Sequence, residues 1–385
     1  MRVLHVIAAA RRGGAEQLVW LVGRQLRRAG AEVTVLFFED GPLRATFEGA
    51  GLVCHTLGGT GRFRPAALSR IRDVLRGCDP QVVHLHGLRA LFHVGPLARA
   101  QHVPVVFGAH AVSEVKDAEY GAFSGGYRRL EGLLCRAVAS AVVATSDRMR
   151  TDLVARSGVP SALIRVIPPA VDLDRLPPVS RASRAAARER FGVDGFVVGM
   201  IGRLIPAKGH AVMVQAMANL AAGTLLLAGD GPERGRLATL AAALDVEARV
   251  LMLGDTSEIA AVCHASDAVV YPSTHGVLGL AALEAMACGV PVVASNRPGV
   301  TEFNTPEQTG ILVPSGDWAA LARALDGLLA NPSRAGALAR AGQASARARY
   351  SPAAAAALHL SLYEEITHGS TPRARPAPAP GASHT

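Results

Sequence analysis

Lysine is nearly absent from this chain. Of forty basic residues only Lys116 and Lys208 are lysine. Where arginine is so preferred, a retained lysine suggests a local need for a compact ammonium that a planar guanidinium does not meet. Aromatic residues make up 4% of the chain, and no basic helix or stacking motif stands out, which argues against nucleic acid as a partner. The five cysteines, Cys54, Cys78, Cys135, Cys263 and Cys288, are scattered and odd in number and form no CxxC. They read as buried free thiols rather than as a disulfide framework or a zinc site. No apolar run reaches the ~18 residues that span a bilayer. The richest candidate, residues 130–145, is cut by Arg136. The first apolar run, Met1–Ala10, is followed rather than preceded by charge, so it reads as a strand and not as a cleaved leader. A cytoplasmic setting is the expectation.

What is abundant is the apolar aliphatic class. Hydrophobic residues are 50% of 385, enough for two α/β cores. Short β-branched runs alternate with amphipathic helices in both halves, which predicts two doubly wound parallel sheets facing one another across a cleft. The expected units are an N-terminal domain over residues 1–175, a connection over 176–190 and a second domain over 191–350. A last helix over 351–368 and a disordered Pro/Ala-rich tail over 369–385 complete the chain. Net charge is +9, and it is uneven: residues 1–175 carry 23 Lys+Arg against 15 Asp+Glu, residues 176–385 carry 17 against 16. The basic first half is consistent with an anionic partner such as a membrane surface, and equally with a solvated basic surface.

Three stretches carry chemistry. In Gly202–Gly209, GRLIPAKG, Arg203 and Lys208 leave a strand on a loop stiffened by Pro206, an arrangement suited to a phosphate. In PSTHGVLGLAALEAMACGVPVVAS, Gly279 and Leu280 open a helix whose free N–H groups favour an anion. Glu284 lies about one turn in, among apolar neighbours, where a carboxylate needs a hydrogen-bonding partner; a ribose diol would serve. Arg11–Glu16 joins the first strand to the first helix. Its Gly13–Gly14 pair fits a tight turn or a ligand loop, and the spacing is not that of a dinucleotide fingerprint. Among the histidines, His84 and His86 share one face of a strand but have no third ligand in sight, so no metal is expected. His110 sits at the carboxyl edge of its strand, as a cleft residue donating to a sugar hydroxyl or as a satisfied core histidine.

Taken in order, these motifs, with VVHLHG, VIPPAVDLDRL, Gly229–Pro232 and Gly299–Glu302, resemble the family 4 retaining glycosyltransferases of GT-B architecture over nearly the whole ordered chain. The resemblance implies two facing Rossmann-like domains with a C-terminal crossover helix. It also implies sugar transfer from a nucleotide diphosphate-sugar, UDP by default, with no cofactor or metal required, to a glycan, lipid-linked or small-molecule acceptor. In that frame Arg203 and Lys208 hold the departing diphosphate and Glu284 the ribose. Gly229 and Leu251 flank the base, and Gly13, Gly14 and His110 face the donor sugar and acceptor. Peripheral attachment to the inner face of the plasma membrane is the accompanying expectation. The sequence departs from the family at Gly276, where a glutamate is usual, at Pro169–Ala170, where Asn–Gly is usual, and at Pro298. Gly276 leaves open a substitute such as His275, or a non-catalytic nucleotide-sugar-binding protein.

Overall fold

The computed structural model describes residues 1–11, 13–58, 65–110, 121–275 and 279–368. Arg12, Lys116, Gly276 and the tail expected to be disordered lie outside the described residues. In chain order the first unit runs β1 (Arg2–Ala9), α1 (Gly14–Arg28), β2 (Glu32–Glu39), α2 (Arg44–Gly49), β3 (Val53–Thr56), α3 (Pro65–Cys78), β4 (Val82–His86), α4 (Leu88–Ala100), β5 (Val105–Ala109), α5 (Ser124–Val138), β6 (Ala141–Ala144), α6 (Asp147–Asp152) and β7 (Ile164–Val166). The second runs α7 (Arg181–Phe191), β8 (Val197–Ile201), α8 (His210–Met217), β9 (Thr224–Ala228), α9 (Arg234–Ala243), β10 (Val250–Gly254), α10 (Ile259–Ala265), β11 (Ala268–Tyr271), α11 (Leu280–Cys288), β12 (Val292–Ser295), β13 (Ile311–Val313), α12 (Trp318–Ala330) and α13 (Pro332–Arg349). The last helix is α14 (Pro352–Thr367).

Two parallel sheets result, ordered β3-β2-β1-β4-β5-β6-β7 and β10-β9-β8-β11-β12-β13. Strands β4, β5, β6, β8, β11 and β12 are buried along their whole length. Continuous apolar burial of this kind follows from helices covering both faces, because each parallel crossover lays a helix on the sheet. Helix α1 shows the opposite pattern. It buries Leu18, Val19, Leu21, Val22 and Leu26 against the sheet and turns Arg27 and Arg28 outward. The strand order reverses between β1 and β4 in one sheet and between β8 and β11 in the other. At such a switch point the loops diverge and leave a crevice at the carboxyl ends of the strands.

Helix α14 returns to the first domain, where Ala355, Ala356, Leu362 and Tyr363 join the core beneath α1. The two chain crossings meet, Val171 N–H donating to the Tyr350 carbonyl at 2.9 Å. Helix α7 begins on a capping box in which Ser180 and Ser183 bond reciprocally and ends at Gly192 in the left-handed region. The cysteine expectation needs one correction: Cys135, Cys263 and Cys288 are buried, but Cys54 and Cys78 are half-buried at the sheet margin. Their thiols are pushed up to about 11, mainly by partial burial.

Candidate active site

Gly13 and Gly14 follow β1, Arg203 and Lys208 follow β8, and Gly279 and Leu280 follow β11, so these six lie at the two switch points, whereas Gly229 follows β9 and His110 follows β5. Arg203 follows β8 and is exposed; Lys208 ends a short 3₁₀ turn, Pro206–Lys208, and is half-buried. The next residue, Gly209, has φ 74°, and a Cβ built there would lie 2.0 Å from the Pro272 carbonyl oxygen. Only glycine allows this approach, and through it the loops after β8 and β11 are clasped. Thr274 N–H donates to the Ala207 carbonyl at 3.0 Å and the Ser273 hydroxyl to the same oxygen at 2.9 Å. Gly229 performs a similar service one loop further on, its φ of 140° bringing it against the Gly202 carbonyl.

Tyr271, at the end of β11, had no sequence signal beyond its position. Lys208 Nζ lies 3.4 Å from its hydroxyl and 5.4 Å from its ring centroid, so the ring props the ammonium over the cleft. Gly279 caps α11 directly above that ring. A Cβ at Gly279 would come within 2.6 Å of Tyr271 Cζ. The N-termini of α1, capped by Gly13, and of α11, capped by Gly279, approach across the cleft, with Leu280 Cδ1 3.9 Å from a Cβ built on Gly14. Gly13 has φ −160° and Gly14 is helical, so neither takes the left-handed backbone of a tight turn. The pair instead clears space: a Cβ on Gly13 would meet the Glu16 carboxylate at 2.3 Å.

Glu284 points into a cavity of about 570 Å³ shared by both domains and their connection, lined among others by Gly13, Glu16, Trp20, Asp172, Arg175 and Ser257. Burial, only partly countered by Arg175 and reinforced by Asp172, raises its carboxyl to about 7. It makes no hydrogen bond or ion pair with the described residues. A carboxyl so placed is free to meet a diol. Leu251, expected beside the base, is half-buried against the core of the second domain and does not line this cavity, to which the second domain contributes residues 257–260 and Glu284. His275 is exposed and its ring bonds the Thr274 hydroxyl at 3.1 Å.

The histidines yield a correction. A third imidazole does stand beside His84 and His86: His5 of β1, whose Cα pairs in register with His84. Ring nitrogens of the three lie within 4.8 Å of one another, a spacing from which a borderline cation could be held. His5 Nδ1 and His86 Nε2 are hydrogen-bonded at 3.1 Å, which places a proton between them. His86 Nδ1 in turn contacts His110 Nε2 at 2.8 Å, and His84 Nδ1 meets the Tyr363 hydroxyl of α14 at 2.7 Å. Burial lowers His5 to about 3 and His110 and His359 to about 4, and holds His84 and His86 well below the ordinary value. The cluster is therefore neutral near pH 7. Strand alternation revealed the His84–His86 face; His5 was missed because only the sheet register brings it there.

Glu302 was known only as the end of a motif. Its carboxylate crosses the cleft to accept from the N–H groups of Asp147 and Arg148, at 2.8 and 2.9 Å, at the start of α6.

Two facing Rossmann-like units, joined by a connection and a returning C-terminal helix, define the GT-B architecture. The sequence agrees with that geometry: the profile of Glycosyltransferase Family 4 matches residues 12–175 and that of Glycosyl transferases group 1 matches residues 183–345. The chain belongs to the family 4 glycosyltransferases. It is 32% identical to the GDP-mannose-dependent alpha-(1-6)-phosphatidylinositol monomannoside mannosyltransferase of Mycolicibacterium smegmatis, over 72% of this chain and 75% of that protein. It is 34% identical to the 2-deoxystreptamine glucosyltransferase of Streptomyces kanamyceticus, over 59% of this chain and 61% of the relative. The match to the D-inositol 3-phosphate glycosyltransferase of Salinispora tropica is 36%, over 65% and 57%. The chain thus spans about three fifths of the length of these last two relatives. In three dimensions it resembles Anabaena HepE in complex with UDP, with a TM-score of 0.84 at 23% identity over 95% of this chain and 100% of the other. Sucrose-phosphate synthase of Thermosynechococcus elongatus gives 0.78 at 25% identity, over 96% and 100%.

Proposed function

We propose that the protein transfers a sugar, with retention of anomeric configuration, from a nucleotide diphosphate-sugar to a polyhydroxylated acceptor. The observation that carries this is Glu284, a largely buried carboxyl without a hydrogen-bonding partner among the described residues, lining a cavity shared with Gly13 at the start of α1. The nucleoside would occupy the cavity with its ribose on Glu284. The diphosphate would lie against Arg203, Lys208 and the N-termini of α1 and α11, whose fixed positive charge favours the departing anion without a metal. The sugar would extend toward His110. UDP is the leading donor nucleotide, from the complex of HepE with UDP; GDP is the alternative, from the mannosyltransferase relative. The relatives named for inositol phosphate, phosphatidylinositol mannoside and 2-deoxystreptamine point to a cyclitol or cyclitol-headed lipid as acceptor, on the first domain. No helix of the described residues is long and apolar enough to cross a membrane; a lipid-linked acceptor would be met by peripheral attachment from the cytoplasm.

The test is a thermal-shift panel of UDP, GDP, ADP and their common sugars, with Lys208→Ala and Glu284→Ala in parallel. A ligand at about 100 times its Kd adds roughly 2.7 kcal/mol to the native state. The expected result is stabilisation by one nucleotide series, lost in both variants. Binding without sugar transfer or hydrolysis would favour the non-catalytic reading that Gly276 suggests, and silence across the panel in folded protein would remove the donor site altogether.

A further inference from the structure

We propose that the buried histidines form a directional relay in which His5 and His86 are positioning residues that hold His110 as its Nδ1-protonated tautomer. The proposal rests on the reading that His110 faces the donor sugar, and it concerns what that imidazole can offer there.

The geometry is a chain of three rings taken from three adjacent strands: His5 on β1, His86 at the end of β4 and His110 just beyond β5. His86 uses both nitrogens on other imidazoles, Nε2 with His5 Nδ1 at 3.1 Å and Nδ1 with His110 Nε2 at 2.8 Å. A neutral imidazole has one N–H and one lone pair. The direction of one contact therefore dictates the direction of the other. Either protons point from His5 toward His110 at both contacts, or both are reversed.

The closed end of the chain decides between them. His5 is 1% exposed, and its Nε2 is buried with no hydrogen-bond partner among the described residues. If the chain ran from His110 toward His5, His5 would carry its proton on that Nε2, as a buried N–H with nothing to receive it. If it runs the other way, Nε2 is a bare lone pair. Buried donors without partners are rarer than acceptors left short, because a donor N–H has no second way to be satisfied. The proton therefore resides on His5 Nδ1 and is donated to His86 Nε2. His86 donates from Nδ1 to His110 Nε2, and His110 keeps its own proton on Nδ1. The nitrogen left for a ligand is an N–H.

Two further features maintain the arrangement. Gly108 on β5 lies beside the contact between His86 and His110; a Cβ there would stand 2.9 Å from His86 Nδ1 and 3.2 Å from His110 Nε2, and would push them apart. His84, bonded through Nδ1 to Tyr363 of α14, tilts its ring 4.2 Å from that of His86 and fixes its plane. In this state His110 donates a hydrogen bond to a sugar hydroxyl or phosphate oxygen and has no lone pair with which to remove a proton.

The test reads the tautomers directly. Two-bond ¹H–¹⁵N correlation spectra of the ¹⁵N-labelled full chain at pH 7.5, with His110 and His86 assigned from His110→Gln and His86→Asn, distinguish protonated from bare ring nitrogens. Expected in the wild type is a protonated Nδ1 and a bare Nε2 in both rings. His5→Asn keeps an N–H donor at the place of Nδ1 and should leave the pattern unchanged. His5→Asp places an acceptor-only carboxylate there. It should exchange the protonated nitrogen in both His86 and His110, and lower kcat with UDP-glucose at least roughly tenfold while KM changes little, because the imidazole is intact but in the wrong tautomer. A protonated Nε2 on His110 in the wild type overturns the relay. So does a folded His5→Asp variant with both rings unchanged, or one equivalent of transition metal retained by the purified protein on His5, His84 and His86. Should His5→Asp fail to fold, the wild-type and His5→Asn spectra decide alone. If the wild type does not turn over UDP-glucose, the donor assignment fails, and the tautomers still stand or fall by the spectra.

Discussion

At Gly279 a single methyl group separates two functions of the same ring. Tyr271 supports Lys208 on one side and receives the N-terminus of α11 on the other, and an added Cβ would enter the ring itself. The φ of −87° at this position is open to any residue, so the glycine is required for proximity and not for conformation. Gly279→Ala should cost roughly 1–3 kcal/mol through overpacking and weaken any stabilisation by nucleotide, since α11 must move away from the cation. Differential scanning fluorimetry with and without UDP measures both, and an unchanged melting temperature with full ligand response would contradict the contact. Glu284 and Lys208 were legible in the sequence because each is an exception to its surroundings, a carboxyl in an apolar run and a lysine among arginines. Tyr271 and His5 were not. Each is an unexceptional strand residue whose importance comes from what another strand brings beside it.

Among the described elements, α5 carries the most exposed leucine, a surface out of keeping with a water-facing helix. Arg129, Leu130, Leu133 and Arg136 follow one another at helical spacing on its outer face, with Leu133 64% exposed, and Phe123 just before the helix is 84% exposed. Leucines flanked by arginines on one stripe suit the headgroup boundary of an anionic membrane. On the proposed reading, the protein binds vesicles containing phosphatidylglycerol at low salt, binding weakens as salt rises, and Leu133→Glu reduces the bound fraction several-fold. Equal sedimentation of the wild type and Leu133→Glu would assign the stripe another role. The sequence alone placed the basic excess in the first half but not on this helix, whose boundaries were hidden by the glycines at its start. Helix α4 was obscured in the same way by Pro96 inside it, and β3 by its short length and alternating exposure.

For the whole molecule the neutral histidines set a direction with pH. In the unfolded chain each titrates near 6.5, whereas burial keeps His5, His110 and His359 neutral down to about 3, 4 and 4. The unfolded state therefore takes up protons that the native first domain refuses, and stability is lost as pH falls from about 6.5 toward 4. Each such group contributes up to about 1.4 kcal/mol per pH unit. Glu284 acts in the opposite sense, its native value near 7 lying above the unfolded one, so its contribution is lost as pH rises through 7. With Glu16, also raised by burial, it makes two carboxyls against six histidines that burial lowers. Urea unfolding of Trp318→Phe, which leaves Trp20 as the reporter of the first domain, should show a lower midpoint at pH 5 than at pH 7.5; equal midpoints would mean the cluster is already charged or hydrated. Apart from β3 the doubly wound sheets were legible, most of their strands being apolar runs, and both crossings between the units were expected; the point at which the crossings are tied was not. The chain passes between them twice, and the passages are tied at one point by Val171 and Tyr350. Mechanically this is a door on two adjacent pins with a latch: swinging about the line through them must also release Glu302 from the start of α6. On the proposed function, whatever draws the second domain in around a donor would also set the angle at which the first presents an acceptor to it.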